Sequence, residues 1–278
     1  MRFINESGLE ILPVTPAIGA EIFNIDLGQQ LSSGQTLAIR QALIDYQVLF
    51  FRDQQLDPSS LKAFASHFGT LHVHPGVRAL EGDREVLRIH ADANSHWVSG
   101  EHWHSDVSCD AEPPMGTVLY MHTVPATGGD TLFSSMYAAY RALSPQFKVL
   151  IEGLTATHDG GFGFNTRFTE QTPGKTDQLY PRHSHPVVRT HPECGEKAIF
   201  VNPGFTTRID GLPADESEAI LAFLYAHTQK PEFQVRFRWQ PNSLAFWDNR
   251  CTLHRAIWDY FPQVRSGYRV TIQGDRPF

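Results

Sequence analysis

Residues 103–131 read WHSDVSCDAEPPMGTVLYMHTVPATGGDT. His104 and Asp106 stand two apart, a Pro-Pro turn follows at Pro113-Pro114, an apolar run covers Gly116 to Met121, and the stretch closes on Gly128-Gly129-Asp130-Thr131. On an extended backbone, residues two apart point to the same side, so this imidazole and this carboxylate can reach one metal ion. The apolar run has the length of a strand, and the glycine pair marks the turn after it. The stretch therefore predicts a histidine–carboxylate pair on extended chain that leads into antiparallel strands.

Working outward, REVLRIH (84–90), TLFS (131–134), SLAFWDN (243–249) and YRVTIQGD (268–275) read as further strands between Gly, Pro, Asn and Asp punctuation. ILPVTPAIGAEIFNIDL near the start reads as strands and turns. Ser32 and Ser33 precede a helical pattern in which Leu37, Ile39, Ala42, Leu43 and Tyr46 share a face, and Val48–Phe51 follows as a buried strand. Asp57 and Pro58 are suited to the N-cap and first position of a second helix that ends before Gly69. Later helices are expected at MYAAYRAL (136–143) and ADESEAILAFLYAHTQ (214–229). The pattern predicts one mainly β domain over 1–278 with flanking helices. The polar, Gly/Pro-marked stretch near 159–186 is expected to be an insert or lid.

The 278 residues are enough for a compact fold with a deep pocket. A net charge of −7 gives no basic field for a polyanionic backbone, so nucleic acid is excluded as a partner. No apolar run reaches the length of about 20 residues that spans a bilayer, and MRFINESGLEILPV lacks an export signal, so a cytoplasmic protein is expected. Cys109, Cys194 and Cys251 form no paired motif and are expected to stay reduced. No coiled-coil pattern is present to set an oligomeric state.

With 14 histidines, about one H-x-D arises by accident, and a second is indeed present at His90-Ala91-Asp92. Spacing does not separate the two; the strand and glycine turn that follow His104 do, and His90 has no such sequel. A third ligand from a distant strand is needed, because two histidines and one carboxylate on one face leave the open positions suited to O2-activating iron(II). FWDNRCTLHRA (246–256) offers His254. Eleven residues later comes Arg265 and four after that Arg269, planar forks able to pair with carboxylates or sulfonates. His102 is assigned no ligand role, Trp247 and Asn249 are expected to support the strand carrying His254, and the His183/His185 pair reads as loop because no carboxylate stands at matching spacing.

Taken together, WHSD, GGDT, WDNR followed by His254, and the two arginines resemble the taurine dioxygenase-like branch of the iron(II)/2-oxoglutarate dioxygenases, which also contains aryloxyalkanoate dioxygenases. The resemblance runs over nearly the whole chain, including IGAEIFNIDL and QVLFFRDQ. It implies a double-stranded β-helix (jelly-roll) core, with iron(II), 2-oxoglutarate and O2 as cofactor and cosubstrates. Carried over by position, it makes His104, Asp106 and His254 the iron ligands. Thr131 and Arg265 would then bind the distal carboxylate of 2-oxoglutarate, while His74 and Arg269 would face an anionic substrate.

This sequence departs from the taurine-cleaving relatives at two places. Gly100 stands where they carry an amide side chain four residues before the first iron-binding histidine, and Val77 stands where they carry a tyrosine. The expected substrate is thus a small organic anion, a sulfonate, alkyl sulfate or aryloxy or other carboxylate, with a more apolar body than taurine. Hydroxylation next to sulfur or an ester or ether oxygen would lead to cleavage. Hydroxylation or desaturation of a natural-product intermediate is the alternative within the same chemistry, and a non-catalytic β-barrel metal- or anion-binding protein is the alternative outside it. The resemblance also allows a homo-oligomer.

Overall fold

The computed structural model of the chain describes residues 3–4, 7–75, 79–168 and 180–278. Val77 and residues 169–179 of the expected insert lie outside them. Two sheets form the core. The larger runs in the order Phe3–Ile4, Glu10–Pro13, Ala20–Phe23, Val48–Phe51, Ser243–Asp248, Gly116–Thr123, Arg265–Ile272 and Leu71–His72, with Val86–Ala91 also paired to Arg265–Ile272. The smaller orders Gln234–Phe237, Thr131–Ser135 and Thr252–Ala256. All core pairings are antiparallel except Ala20–Phe23 with Val48–Phe51.

The apolar run Val48–Phe51 is buried throughout because both faces of its sheet are covered. Val48 and Phe50, with Leu119, Met121, Ala245 and Trp247, pack against Phe133, Val235 and Phe237 of the smaller sheet. Their neighbours Leu49, Phe51, Val118, Tyr120, Leu244 and Phe246 face the other way, onto the helices Ser33–Tyr46 and Pro58–Ser66. Period-two alternation thus separates two cores rather than core from solvent. The facing sheets are the jelly-roll core that the resemblance implied.

Both early helices begin where the sequence placed them. Ser32 accepts from Gln35 N and Asp57 from Ser60 N, each in a reciprocal capping box, and Pro58 opens the second helix. Leu37, expected on the buried face, instead points to solvent at 67% exposure while Ile39, Ala42 and Leu43 are buried. The apolar stripe is narrower than the pattern suggested.

Two small sheets flank the core. One orders Arg182–Pro186, Thr155–Asp159 and Thr206–Ile209; the other pairs Val188–Thr190 with Lys197–Ile199. The HSHP stretch, read as loop, is therefore an edge strand, because Arg182–Pro186 pairs residue for residue with Thr155–Asp159. Gly160–Phe168 of the expected insert forms a helix. Among the described residues no helix is long and apolar enough to cross a membrane.

Candidate metal centre and anion sites

The lowest level of the site is a backbone contact. His104 and His254 form an isolated antiparallel bridge, His104 N donating to His254 O at 3.1 Å and His254 N to His104 O at 2.9 Å. This bridge joins two segments 150 residues apart and sets their imidazole rings 4.1 Å from centre to centre. Asp106, two residues along, falls on the same side, with Oδ1 3.6 Å from His104 Nε2 and 3.9 Å from His254 Nε2. The three potential ligand atoms lie within 4.8 Å of one another, and all three residues are buried.

Each donor is held in a ligating state. His104 Nδ1 donates to the His102 carbonyl at 2.8 Å, which leaves the lone pair on Nε2 facing Asp106. Burial, reinforced by the neighbouring His104, keeps the His254 imidazole well below its usual pKa and so neutral. Its ring is set between Trp247, at 4.7 Å, and Phe133, near-parallel at 6.1 Å. For Asp106 burial alone would favour the protonated acid, but the neighbouring Arg269 guanidinium outweighs it and holds the carboxyl well below the ordinary range. Thr117 donates to Asp106 Oδ2 at 2.7 Å, and the Asn249 side chain bridges Thr117 Oγ1 and Asp106 N. Trp247 Nε1 in turn fixes Asn249 Oδ1 at 2.9 Å. Trp247 and Asn249 thus support the site as expected, Asn249 through Asp106 rather than through the strand of His254. Two imidazoles and a carboxylate suit a divalent first-row metal such as iron(II).

His90 stands apart. It bonds Ser266 Oγ at 3.1 Å and lies 3.4 Å from Asp92, and among the described residues no second histidine completes a ligand group with it. The only other cluster of metal-binding residue types among those described, His191, Asp248 and Cys251, is already neutralised, because Arg250 forks onto Asp248 at 2.6 and 2.9 Å.

Two buried cations stand on one strand, one of them against the centre. Arg265 and Arg269, four apart on Arg265–Ile272, share a face, as an extended strand requires. The Arg265 guanidinium donates through Nε to Gly129 O at 3.2 Å and sits over Trp239, yet Nη2 is buried without a protein partner. Among the described residues no carboxylate pairs with it, and burial pulls its pKa down. Beside it, Trp239 Nε1 donates to Thr131 Oγ1 at 2.9 Å, so the hydroxyl hydrogen of Thr131 is directed elsewhere. A fully buried cation with an idle N–H next to a hydroxyl fits an anionic carboxylate such as the distal end of 2-oxoglutarate.

Arg269 also pairs with a residue of the metal group. Its Nη1 donates to Asp106 Oδ1 at 3.1 Å, the oxygen that faces both histidines, while its Nε is buried without a partner. It lines a cavity with His74, Trp97, Ser99, Gly100, Val107, Phe164 and Phe205 over the His104–Asp106 pair. Burial, with the nearby Arg269 cation, keeps the His74 imidazole neutral. Gly100, at φ +87°, lies against the metal pair: a Cβ there would meet His104 Cε1 at 3.2 Å. What sequence reasoning missed was the Arg269–Asp106 ion pair. Residues 163 apart carry no local pattern that joins them.

The family profile described as "Taurine catabolism dioxygenase TauD, TfdA family" matches residues 10–271. An alpha-ketoglutarate-dependent sulfate ester dioxygenase of Pseudomonas putida is 34% identical over 97% of this chain and 91% of that protein. The crystal structure of a taurine dioxygenase from Burkholderia xenovorans superposes with a TM-score of 0.83 at 36% identity, covering 97% of this chain and 90% of that one. A crystal structure of AAD-2 in complex with Mn(II) and N-oxalylglycine gives a TM-score of 0.82 at 27% identity over 97% and 98%.

Proposed function

The chain belongs to the TauD, TfdA family of taurine catabolism dioxygenases, and from that premise we propose that it hydroxylates a small organic anion with an apolar body, an alkyl sulfate or alkanesulfonate, at the carbon bearing the sulfur or ester oxygen. The observation that carries this reading is the pair of buried arginines on one strand face, each with a nitrogen lacking a partner among the described residues, one of them, Arg269, paired with Asp106 of the His104, Asp106 and His254 group. Two anions are received, one at each.

His104, Asp106 and His254 would hold iron(II), which with 2-oxoglutarate and O2 supplies the oxidising power for C–H hydroxylation. The chain's own residues do the rest. The His102 carbonyl keeps the proton of His104 on Nδ1, and Thr117 holds the Asp106 oxygen that does not face the histidines. Arg265 and Thr131 receive the distal carboxylate of the cosubstrate, while Arg269 and neutral His74 receive the substrate's anionic head. Trp97, Val107, Phe164 and Phe205 exclude water and enclose the apolar body.

The cavity discriminates against taurine. Among its described lining residues Asp106 is the one carboxylate, already engaged by Arg269 and Thr117, and Gly100 offers no amide. An ammonium group would be buried there without a counter-charge. For an alkyl sulfate, hydroxylation at the ester carbon gives a hemiacetal-like sulfate that collapses to aldehyde and hydrogen sulfate, the C–O electron pair leaving with sulfate.

Iron-loaded protein incubated with 2-oxoglutarate and a panel of alkyl sulfates, alkanesulfonates, aryloxy acids and taurine tests this. Succinate release is expected to rise with alkyl sulfates or alkanesulfonates of four or more carbons and least with taurine. Stimulation by taurine above the alkyl anions, or by none of the sulfur-containing anions, refutes it.

A further inference from the structure

The residue after Asp106 carries an unusual backbone. Val107 has φ +45°, a region that a β-branched residue enters only at a steric cost and keeps only where its surroundings force it. Its effect is to turn the chain sharply, so that the Asp106 carboxylate faces the two histidines while the Val107 side chain packs with Cys109, Phe164 and Phe205 at the cavity wall. A strained turn beside a candidate ligand needs a restraint.

The restraint is a block of histidines that the metal and anion sites do not use. Asp110 N closes the turn onto Val107 O at 3.0 Å. Ser108 Oγ is hydrogen-bonded to His158 Nδ1 at 3.0 Å and accepts from Asn202 Nδ2 at 2.9 Å. His185 Nε2 donates to the Asp110 carbonyl at 2.8 Å, and His183 Nδ1, on the outer side, donates to the Cys109 carbonyl at 2.8 Å. His72 Nε2 meets Asp110 Oδ2 at 2.9 Å. His158 and His185 are buried, 5.3 Å apart between ring centres, and both pack on Phe200. Each comes from a strand of one small sheet, Thr155–Asp159 and Arg182–Pro186, where they are cross-strand neighbours two positions out of register. Three consecutive residues of the turn are thus gripped from a rigid element behind it.

We propose that His158 and His185 are positioning residues for the metal centre: through Ser108 and the Asp110 carbonyl they hold the strained Val107 turn, and through it the orientation of Asp106. The proposal rests on the assignment of His104, Asp106 and His254 as metal ligands. Neither histidine faces the cavity, so their action on the centre is indirect. Both remain neutral in the folded protein, burial pushing His158 down to about 3 and His185 to about 4, so the hydrogen bonds hold unchanged across the neutral range.

The test is the Mn(II) affinity of the metal-free full chain, measured by calorimetry together with the melting temperature. Alanine at His158 or His185 is expected to weaken Mn(II) binding by about tenfold or more, the usual effect of removing a ligand's support. His158→Asn and His185→Gln place an amide where the active ring nitrogen lies, and are expected to restore affinity to within about threefold. His185→Asn, one bond too short to reach the Asp110 carbonyl, is expected not to, and gives the same comparison should alanine prevent folding. Wild-type affinity in a folded His185→Ala or His185→Asn variant, even with a lowered melting temperature, overturns the proposal by showing a purely structural role. His104→Ala is the reference: if it too binds Mn(II) normally, the ligand assignment falls and the positioning role with it, whereas loss of binding in His104→Ala alone refutes the positioning role by itself.

Discussion

Asp106 divides its two carboxylate oxygens between different partners. Oδ2 takes the Thr117 hydroxyl, and Oδ1 takes Arg269 while facing both histidines. A carboxylate oxygen has room for a metal and one hydrogen bond, but the guanidinium beside it draws off charge that the metal would use. Arg269→Gln is therefore expected to tighten Mn(II) binding to the substrate-free protein by roughly tenfold, about 1.4 kcal/mol. Calorimetry in the absence of any organic anion reads this directly, and unchanged or weaker binding contradicts it. Gly100 works at the same scale by omission. Its positive φ and its approach to His104 leave the space above the metal pair that a side chain would fill.

The strand Arg265–Ile272 is the element that organises the two anion sites. It pairs on one edge with Val86–Ala91 and on the other with Gly116–Thr123, so its face is fixed from both sides. Arg265 and Arg269 on that face are about 13 Å apart along the strand, given about 3.3 Å per residue, far enough that the two anions do not compete for one guanidinium. Arg265→Gln is expected to raise the 2-oxoglutarate concentration that half-saturates the visible band of the anoxic iron(II) protein by about a hundredfold. Mn(II) affinity should stay within about twofold of the unaltered chain. An unshifted 2-oxoglutarate titration removes Arg265 from the cosubstrate site.

On the scale of the whole molecule, stability should respond to pH through the buried imidazoles. Unfolded, His158 and His185 titrate near 6.5; folded, burial holds them at about 3 and about 4. Between pH 6.5 and 4 the unfolded chain binds more protons than the folded one, so stability is full above 6.5 and falls as the pH drops through that window. Each group contributes a slope that approaches, at most, about 1.4 kcal/mol per pH unit in the middle of that window. Denaturant unfolding at pH 5 and 6 should accordingly show a shallower loss in His185→Gln than in the unaltered chain. An equal slope in both means that His185 is protonated in the folded state.

By itself the sequence determined which residues are candidates for chemistry and the local form of the elements that present them. His104 and Asp106 stand two apart, Arg265 and Arg269 share a strand face, Ser32 and Asp57 cap their helices, and the glycine pair at 128–129 lies in the turn between Gly116–Thr123 and Thr131–Ser135. These are properties of neighbouring residues, and backbone periodicity makes them legible. The strand and glycine turn after His104 already set it apart from His90 in the sequence, but only tertiary structure decided how it meets a third ligand, through the backbone bridge to His254. It also decided that Leu37 faces water, that His183 and His185 lie on a strand rather than a loop, that Arg269 reaches Asp106, and that histidines more than 45 residues downstream brace the Val107 turn. Such pairings depend on the register in which distant strands meet. That register is a sum of packing over the whole core, to which no single stretch of sequence gives the answer.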